Sequence, residues 1–136
     1  MSKYAVVYWS STGNTEAMAQ EVAKAAGADL FTADEFTADK LADYEGIAFG
    51  CPSMGAEELE ADSFEPMFET CKSLLSGKKL ALFGSYDWGD GEWMRLWQAD
   101  CEALGAKLVA DGLICHLEPE ADDLAKCRAL GEALKN

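Results

Sequence analysis

Three short segments of this chain hold the residue types that could do chemistry. The first, Ser10-Ser11-Thr12-Gly13-Asn14-Thr15, packs four hydroxyl side chains and a glycine between an apolar run and the start of a helical pattern. Backbone N–H groups at a helix start are unsatisfied and the helix dipole favours an anion. An N-cap with a turn needs one such hydroxyl, so the excess points to a phosphate site. A P-loop requires GxxxxGK[ST], and this segment has no lysine; a dinucleotide fingerprint requires GxGxxG, and it has one glycine. Trp9 and Ser10 stand where a receiver domain would put paired carboxylates, and the cysteine and arginine of a tyrosine-phosphatase loop are missing. A phosphate monoester held by amides and hydroxyls remains.

The second segment is Pro52-Ser53-Met54-Gly55-Ala56-Glu57-Glu58, and the third is Ser85-Tyr86-Asp87-Trp88-Gly89-Asp90-Gly91-Glu92-Trp93. A tryptophan bracketed by Asp and Gly is not an obvious core residue, and Met54 in a loop has no assignment alone. Facing each other across a phosphate loop, Trp88 and Met54 would form two walls of a slot for a flat ring.

The elements that must position these loops are four apolar runs with similar punctuation: Tyr4 to Trp9, Ile47 to Phe49, Leu80 to Phe83, and Leu108 through Asp111-Gly112 to Cys115. Continuous rather than alternating runs predict strands buried on both faces. A weaker run, Ala28 to Thr32, predicts a short strand nearer an edge. Between them the apolar period becomes helical. Met18 and Val22 mark a helix from about Asn14 to Ala26, stopped by Gly27. Phe64, Met67, Phe68, Cys71 and Leu75 mark another, ending before Gly77. Trp93, Trp97, Cys101 and Leu104 mark a third, and Leu124 to Leu134 the last. Strand then helix, repeated about five times with right-handed crossovers, predicts an α/β fold. The expected form is a doubly wound five-stranded parallel sheet, order 2-1-3-4-5, with helices on both faces, and residues 1–136 are expected to form one domain. Ligands of such sheets bind beyond the carboxyl ends of the strands, where the three segments fall.

Composition narrows the partners. Eleven Lys and Arg against 25 Asp and Glu give a net charge of −14. Such a surface repels nucleic acid and anionic membranes and attracts basic proteins. No run is long enough for a membrane span. Met1-Ser2-Lys3 and its short apolar run lack a signal peptide's length and cleavage site, so a cytoplasmic location is expected. The five cysteines form no CxxC pair, and reduced buried thiols are expected. His116, the single histidine, reads as a rim residue without a role.

These motifs resemble the flavodoxin family, in particular its short-chain branch. The resemblance spans essentially the whole chain. It rests on Tyr8-Trp9-Ser10-Ser11-Thr12-Gly13-Asn14-Thr15-Glu16, Gly50-Cys51-Pro52-Ser53-Met54-Gly55, and Leu82-Phe83-Gly84-Ser85-Tyr86-Asp87-Trp88-Gly89. It implies non-covalent FMN and low-potential one-electron transfer with no substrate turned over. The implied site comprises Ser10 to Thr15 for the phosphate, with Pro52, Ser53, Met54, Gly55, Glu57, Ser85, Tyr86, Asp87, Trp88, Gly89 and Gly91 around the ring. By resemblance, Met54 packs on the inner ring face and Trp88 on the outer. The Gly55 carbonyl serves flavin N5–H on reduction, Glu57 accepts from N3–H, and amides around Asp87 to Gly89 face N1 and O2. Ser11 and Asp87 stand where relatives often have glycine, and Ala56 replaces a common polar residue. Implied partners are basic-surfaced ferredoxin-type donors and acceptors, met as a monomer. Two rivals are an FMN-dependent NAD(P)H reductase of related fold and a binding module for another phosphate monoester.

Overall fold

The computed structural model describes residues 3–136; Met1 and Ser2, with the part of the N-terminal reading that falls on them, lie outside it. The chain runs β1 (Tyr4–Tyr8), α1 (Asn14–Ala26), β2 (Asp29–Thr32), two 3₁₀ turns (Ala33–Glu35 and Ala38–Asp43), β3 (Gly46–Gly50) and α2 (Phe64–Cys71). It continues through a 3₁₀ turn (Lys72–Leu74) to β4 (Lys79–Tyr86), α3 (Glu92–Ala103), β5 (Lys107–Leu108), β6 (Leu113–His116) and α4 (Ala121–Lys135). All pairings are parallel and the order is β2-β1-β3-β4, with β5 and β6 following one another along the far edge of β4. Strand ends Tyr8, Gly50, Tyr86 and His116 therefore finish on one side of the sheet.

Alternation along the strands divides the core into two layers. Ala5, Val7, Ile47, Phe49, Leu80 and Leu82 face α2 and α3, where large rings fill the space. Phe64 and Phe68 meet Phe49 edge-on, and Trp97 meets Phe64 with ring centroids 5.5 Å apart. Val6, Tyr8, Ala48, Ala81 and Phe83 face α1 and α4. Small residues on this side let the helices come close: a Cβ on Gly131 of α4 would sit 2.5 Å from the Val22 carbonyl oxygen of α1. All five cysteines are buried free thiols. No helix among the described residues is long and apolar enough to cross a membrane.

Three elements depart from the sequence reading. The fifth strand is broken into β5 and β6. Gln98 of α3 accepts from the Gly112 N–H at 2.8 Å and donates to the Asp111 carboxylate at 3.1 Å, which draws the intervening chain off the ladder. Between β2 and β3 there is no α-helix. The two 3₁₀ turns bury Ala33, Phe36, Leu41 and Tyr44 instead. Helix α2 ends at Cys71 and tightens into the 3₁₀ turn before Leu75.

The helix crossing generates a stability prediction. Gly131→Val forces α1 and α4 apart, because the obstruction is backbone and an alanine Cβ rather than a flexible side chain. Overpacking of this kind costs roughly 1–3 kcal/mol. The urea midpoint should fall with the slope of the transition unchanged.

Candidate functional site

The loops after β1, β3 and β4 converge, and each is shaped by its own backbone needs. Gly13 precedes α1 with φ 93°. The Ser10 hydroxyl accepts from the Gly13 and Glu16 N–H groups, both at 3.2 Å, and Thr12 Oγ1 accepts from Asn14 N–H at 3.3 Å. Thr15 turns inward: its hydroxyl lies 2.8 Å from that of Ser85 and accepts from the Ser85 N–H at 3.3 Å. The four hydroxyls thus divide. Ser10 and Thr15 hold the loop's shape, while Ser11 and Thr12, with Asn14, line the cleft between the loops.

The second loop is closed by Met54 and Glu58, which exchange two backbone hydrogen bonds of 2.8 Å. Inside that closure Gly55 has φ 48° and Glu57 φ 56°. A left-handed backbone costs a non-glycine residue roughly 1–2 kcal/mol. The Glu57 carboxylate offsets this by accepting from the Gly91 and Glu92 N–H groups at 3.2 and 3.1 Å, at the N-terminus of α3. Glu57 therefore ties the second loop to the third. Beneath them, Trp93 Nε1 donates to the Cys51 carbonyl at 3.3 Å.

Glu60 was missed in the sequence. It is 5% exposed, and its carboxylate accepts from the N–H groups of Asp62, Ser63 and Phe64. It caps α2 and fixes the far end of the second loop. The signal was present, an acid just before the apolar stripe that starts at Phe64.

The third loop carries Trp88, 61% exposed although it is the loop's largest side chain. The cleft takes Pro52, Ser53, Met54 and Gly55 from the second loop, and Ser85, Tyr86, Asp87 and Trp88 from the third. Leu117, which follows β6, completes it. Of the residues named from the sequence, Ser10, Gly13, Thr15, Glu57, Gly89 and Gly91 do not line this cleft; they shape the loops that do. Ser11 and Asp87 are not among the positive-φ residues, so neither substitution of a common glycine strains the backbone. His116 is not idle either: its Nε2 lies 2.9 Å from the Asp87 carbonyl oxygen.

The arrangement suits an amphipathic ligand. Hydroxyls and a helix start stand beside the first loop's part of the cleft, and Met54 and an exposed indole offer apolar faces for a ring. No lysine or arginine lines it. These features fit FMN.

The flavodoxin family profile matches residues 6–131. The flavodoxin of Megasphaera elsdenii is 44% identical over 133 residues, spanning 94% of this chain and 95% of that protein. The flavodoxin of Clostridium beijerinckii is 40% identical over 136 residues, 96% of this chain and 98% of that one. The solution structure of two-electron reduced M. elsdenii flavodoxin superposes with a TM-score of 0.84 over 97% of this chain and 98% of that one. Oxidised flavodoxin 1 from Bacillus cereus, 31% identical, gives 0.86 over 98% and 97%. The sheet order, the three loops and these likenesses agree: the chain belongs to the flavodoxin family, in its short-chain form, and is an FMN-binding electron-transfer protein rather than an enzyme.

Proposed function

We propose that this chain carries single electrons at low potential between basic-surfaced redox proteins of the ferredoxin-type donor and acceptor class, as a cytoplasmic monomer. The observation that carries the reading is the cleft itself, in which Met54 and an exposed Trp88 stand by a hydroxyl-rich helix start and no lysine or arginine joins the lining. Bound FMN supplies the one-electron chemistry. The chain's own residues bind and tune it. Ser11, Thr12, Asn14 and the first turn of α1 take the phosphate. Met54 and Trp88 cover the two ring faces, which leaves no face for a nicotinamide and argues against a reductase. Asp87 in the cleft, Glu57 behind it and a net charge of −14 disfavour added negative charge, which favours a low potential. Of the large exposed hydrophobics among the described residues, Trp88 and Leu117 belong to the cleft, and the rest, Leu30, Leu74 and Leu96, are single leucines on β2, the turn after α2 and α3, which supports a monomer.

A potentiometric titration followed by absorbance tests the reading directly. Two separated one-electron steps are expected, and a single two-electron step would overturn it.

Phosphate anchoring should dominate affinity. Hydrogen bonds to a charged group are worth roughly 1.5–3 kcal/mol each, so FMN should bind orders of magnitude more tightly than riboflavin. Fluorescence quenching of both ligands measures this, and riboflavin within about tenfold of FMN, some 1.4 kcal/mol, would contradict the phosphate assignment.

Gly55 allows a sharper measurement. A Cβ there meets no protein atom within 4 Å, and φ 48° is what opposes a side chain. If its carbonyl accepts from flavin N5–H on reduction, a side chain opposes the peptide geometry by roughly 1–2 kcal/mol, against a net hydrogen bond of about 0.5–1.5 kcal/mol. Gly55→Val should lower the first one-electron potential by about 50–100 mV, since 59 mV is a factor of ten for one electron. Oxidised FMN should stay bound through its phosphate. Unchanged potentials with lowered stability would make Gly55 a turn residue only.

A further inference from the structure

The loop carrying Trp88 has little packing to hold it, since Asp87, Trp88, Gly89 and Asp90 are all exposed. Arg95 of α3 holds Asp90 by its carbonyl and its carboxylate, and two side chains from other elements hold the loop's ends. Glu57 accepts from the N–H groups of Gly91 and Glu92, as described. At the other end stands His116, which the resemblance to known motifs left without a task. The last rung of β4 and β6 pairs Tyr86 with His116, and the Leu117 N–H donates to the Tyr86 carbonyl at 2.8 Å. This puts the imidazole 5.0 Å from the Tyr86 ring and its Nε2 2.9 Å from the Asp87 carbonyl oxygen. A carbonyl only accepts, so Nε2 must carry the proton in this contact. The chain then turns away through Leu117, with φ 62°, one of two non-glycine residues in the left-handed region among those described. That turn leaves Leu117 lining the cleft directly after the histidine.

The carbonyl that His116 binds belongs to the peptide joining Asp87 to Trp88. In a planar trans peptide the C=O and the following N–H point in opposite directions. Holding the oxygen therefore sets which way the Trp88 N–H faces. The N–H groups of Asp87, Trp88 and Gly89 donate to no acceptor in the protein among the described residues. They are free for a ligand, and the pyrimidine side of a flavin offers acceptors at N1 and O2. A carbonyl turned toward those atoms would repel them.

We propose that His116 is a positioning residue for the flavin: by donating to the Asp87 carbonyl it orients the Asp87–Trp88 peptide so that the N–H, and not the oxygen, is presented to the ring. This rests on the FMN-carrier reading. Two substitutions separate the hydrogen bond from the ring contact. His116→Phe keeps an aromatic ring against Tyr86 and removes the donor; His116→Gln keeps a donor and removes the ring. FMN affinity and both one-electron potentials are measured for each, with ¹⁵N relaxation of the Trp88 backbone and indole N–H groups in the flavin-free protein. His116→Phe should weaken FMN binding about tenfold, shift the potentials and loosen Trp88 on the ps–ns timescale. His116→Gln should restore all three to near the parent values. Parent-like behaviour of His116→Phe overturns the proposal. Equal loosening in both variants also overturns it, by making the Tyr86 contact the cause. If the parent itself binds no FMN, the carrier reading falls separately, and the relaxation data alone decide: unchanged Trp88 motion in His116→Phe then overturns the clip.

Discussion

Ser85 is bonded to two of the loops that make the site and leads into the third. Its hydroxyl meets Thr15 in the first turn of α1, its N–H donates to the same oxygen, and its carbonyl accepts from Ser53 N–H at 3.0 Å in the second loop. Two residues later the chain enters the third loop. Thr15 and Ser85 are 1% and 5% exposed. Each hydroxyl satisfies the other, so neither bears the roughly 1–3 kcal/mol cost of an unsatisfied buried polar group. With α1, β3 and β4 tied together through Ser85, the first-loop end and the third-loop end of the cleft keep a fixed separation. Glu57 and Trp93 add later fastenings from loop to loop, but both act on backbone that Ser85 has already placed.

Much of this was legible in the sequence because it is local. Asn14 to Ala26 was bounded by its own glycines, and β1, β3 and β4 were continuous apolar runs bordered by turn residues. Gly55 has the left-handed backbone, φ 48°, that its residue type tolerates. What escaped were contacts between distant positions. Thr15 and Ser85 are 70 residues apart, and His116 and Asp87 are 29. A hydroxyl that packs inward looks the same on paper as one that faces a ligand, so Ser10 and Thr15 read as equals of Ser11 and Thr12. The broken fifth strand has this origin in part: Asp111-Gly112 within the run marks a turn, and the side chain that fixes it there, Gln98, comes from a helix.

Charge and cleft are arranged separately. Arg95 is paired with Asp90 at 3.0 Å and Arg128 lies 3.8 Å from Glu21, so neither arginine is directed into the cleft. The anion-binding capacity of the first loop comes from amides, hydroxyls and a helix dipole, which carry no net charge. The first loop's capacity for an anion thus brings no lysine or arginine into the lining of the cleft. A net −14 surface meanwhile repels a second copy of itself and draws basic surfaces over a range set by salt.

The five cysteines give this architecture a chemical selectivity of its own. Burial pushes the Cys51, Cys101 and Cys127 thiols up to about 12 and Cys115 to about 11, and raises Cys71 as well. At neutral pH these thiols stay protonated, and the thiolate is the form that reacts with oxidants and disulfides. Cys51 is the telling case. It directly follows β3 and precedes Pro52 at the cleft, yet its sulfur is enclosed and accepts the Glu60 N–H. Buried and protonated, the five thiols react poorly with oxidants, and the chain is kept from forming the disulfides that could take up its electrons.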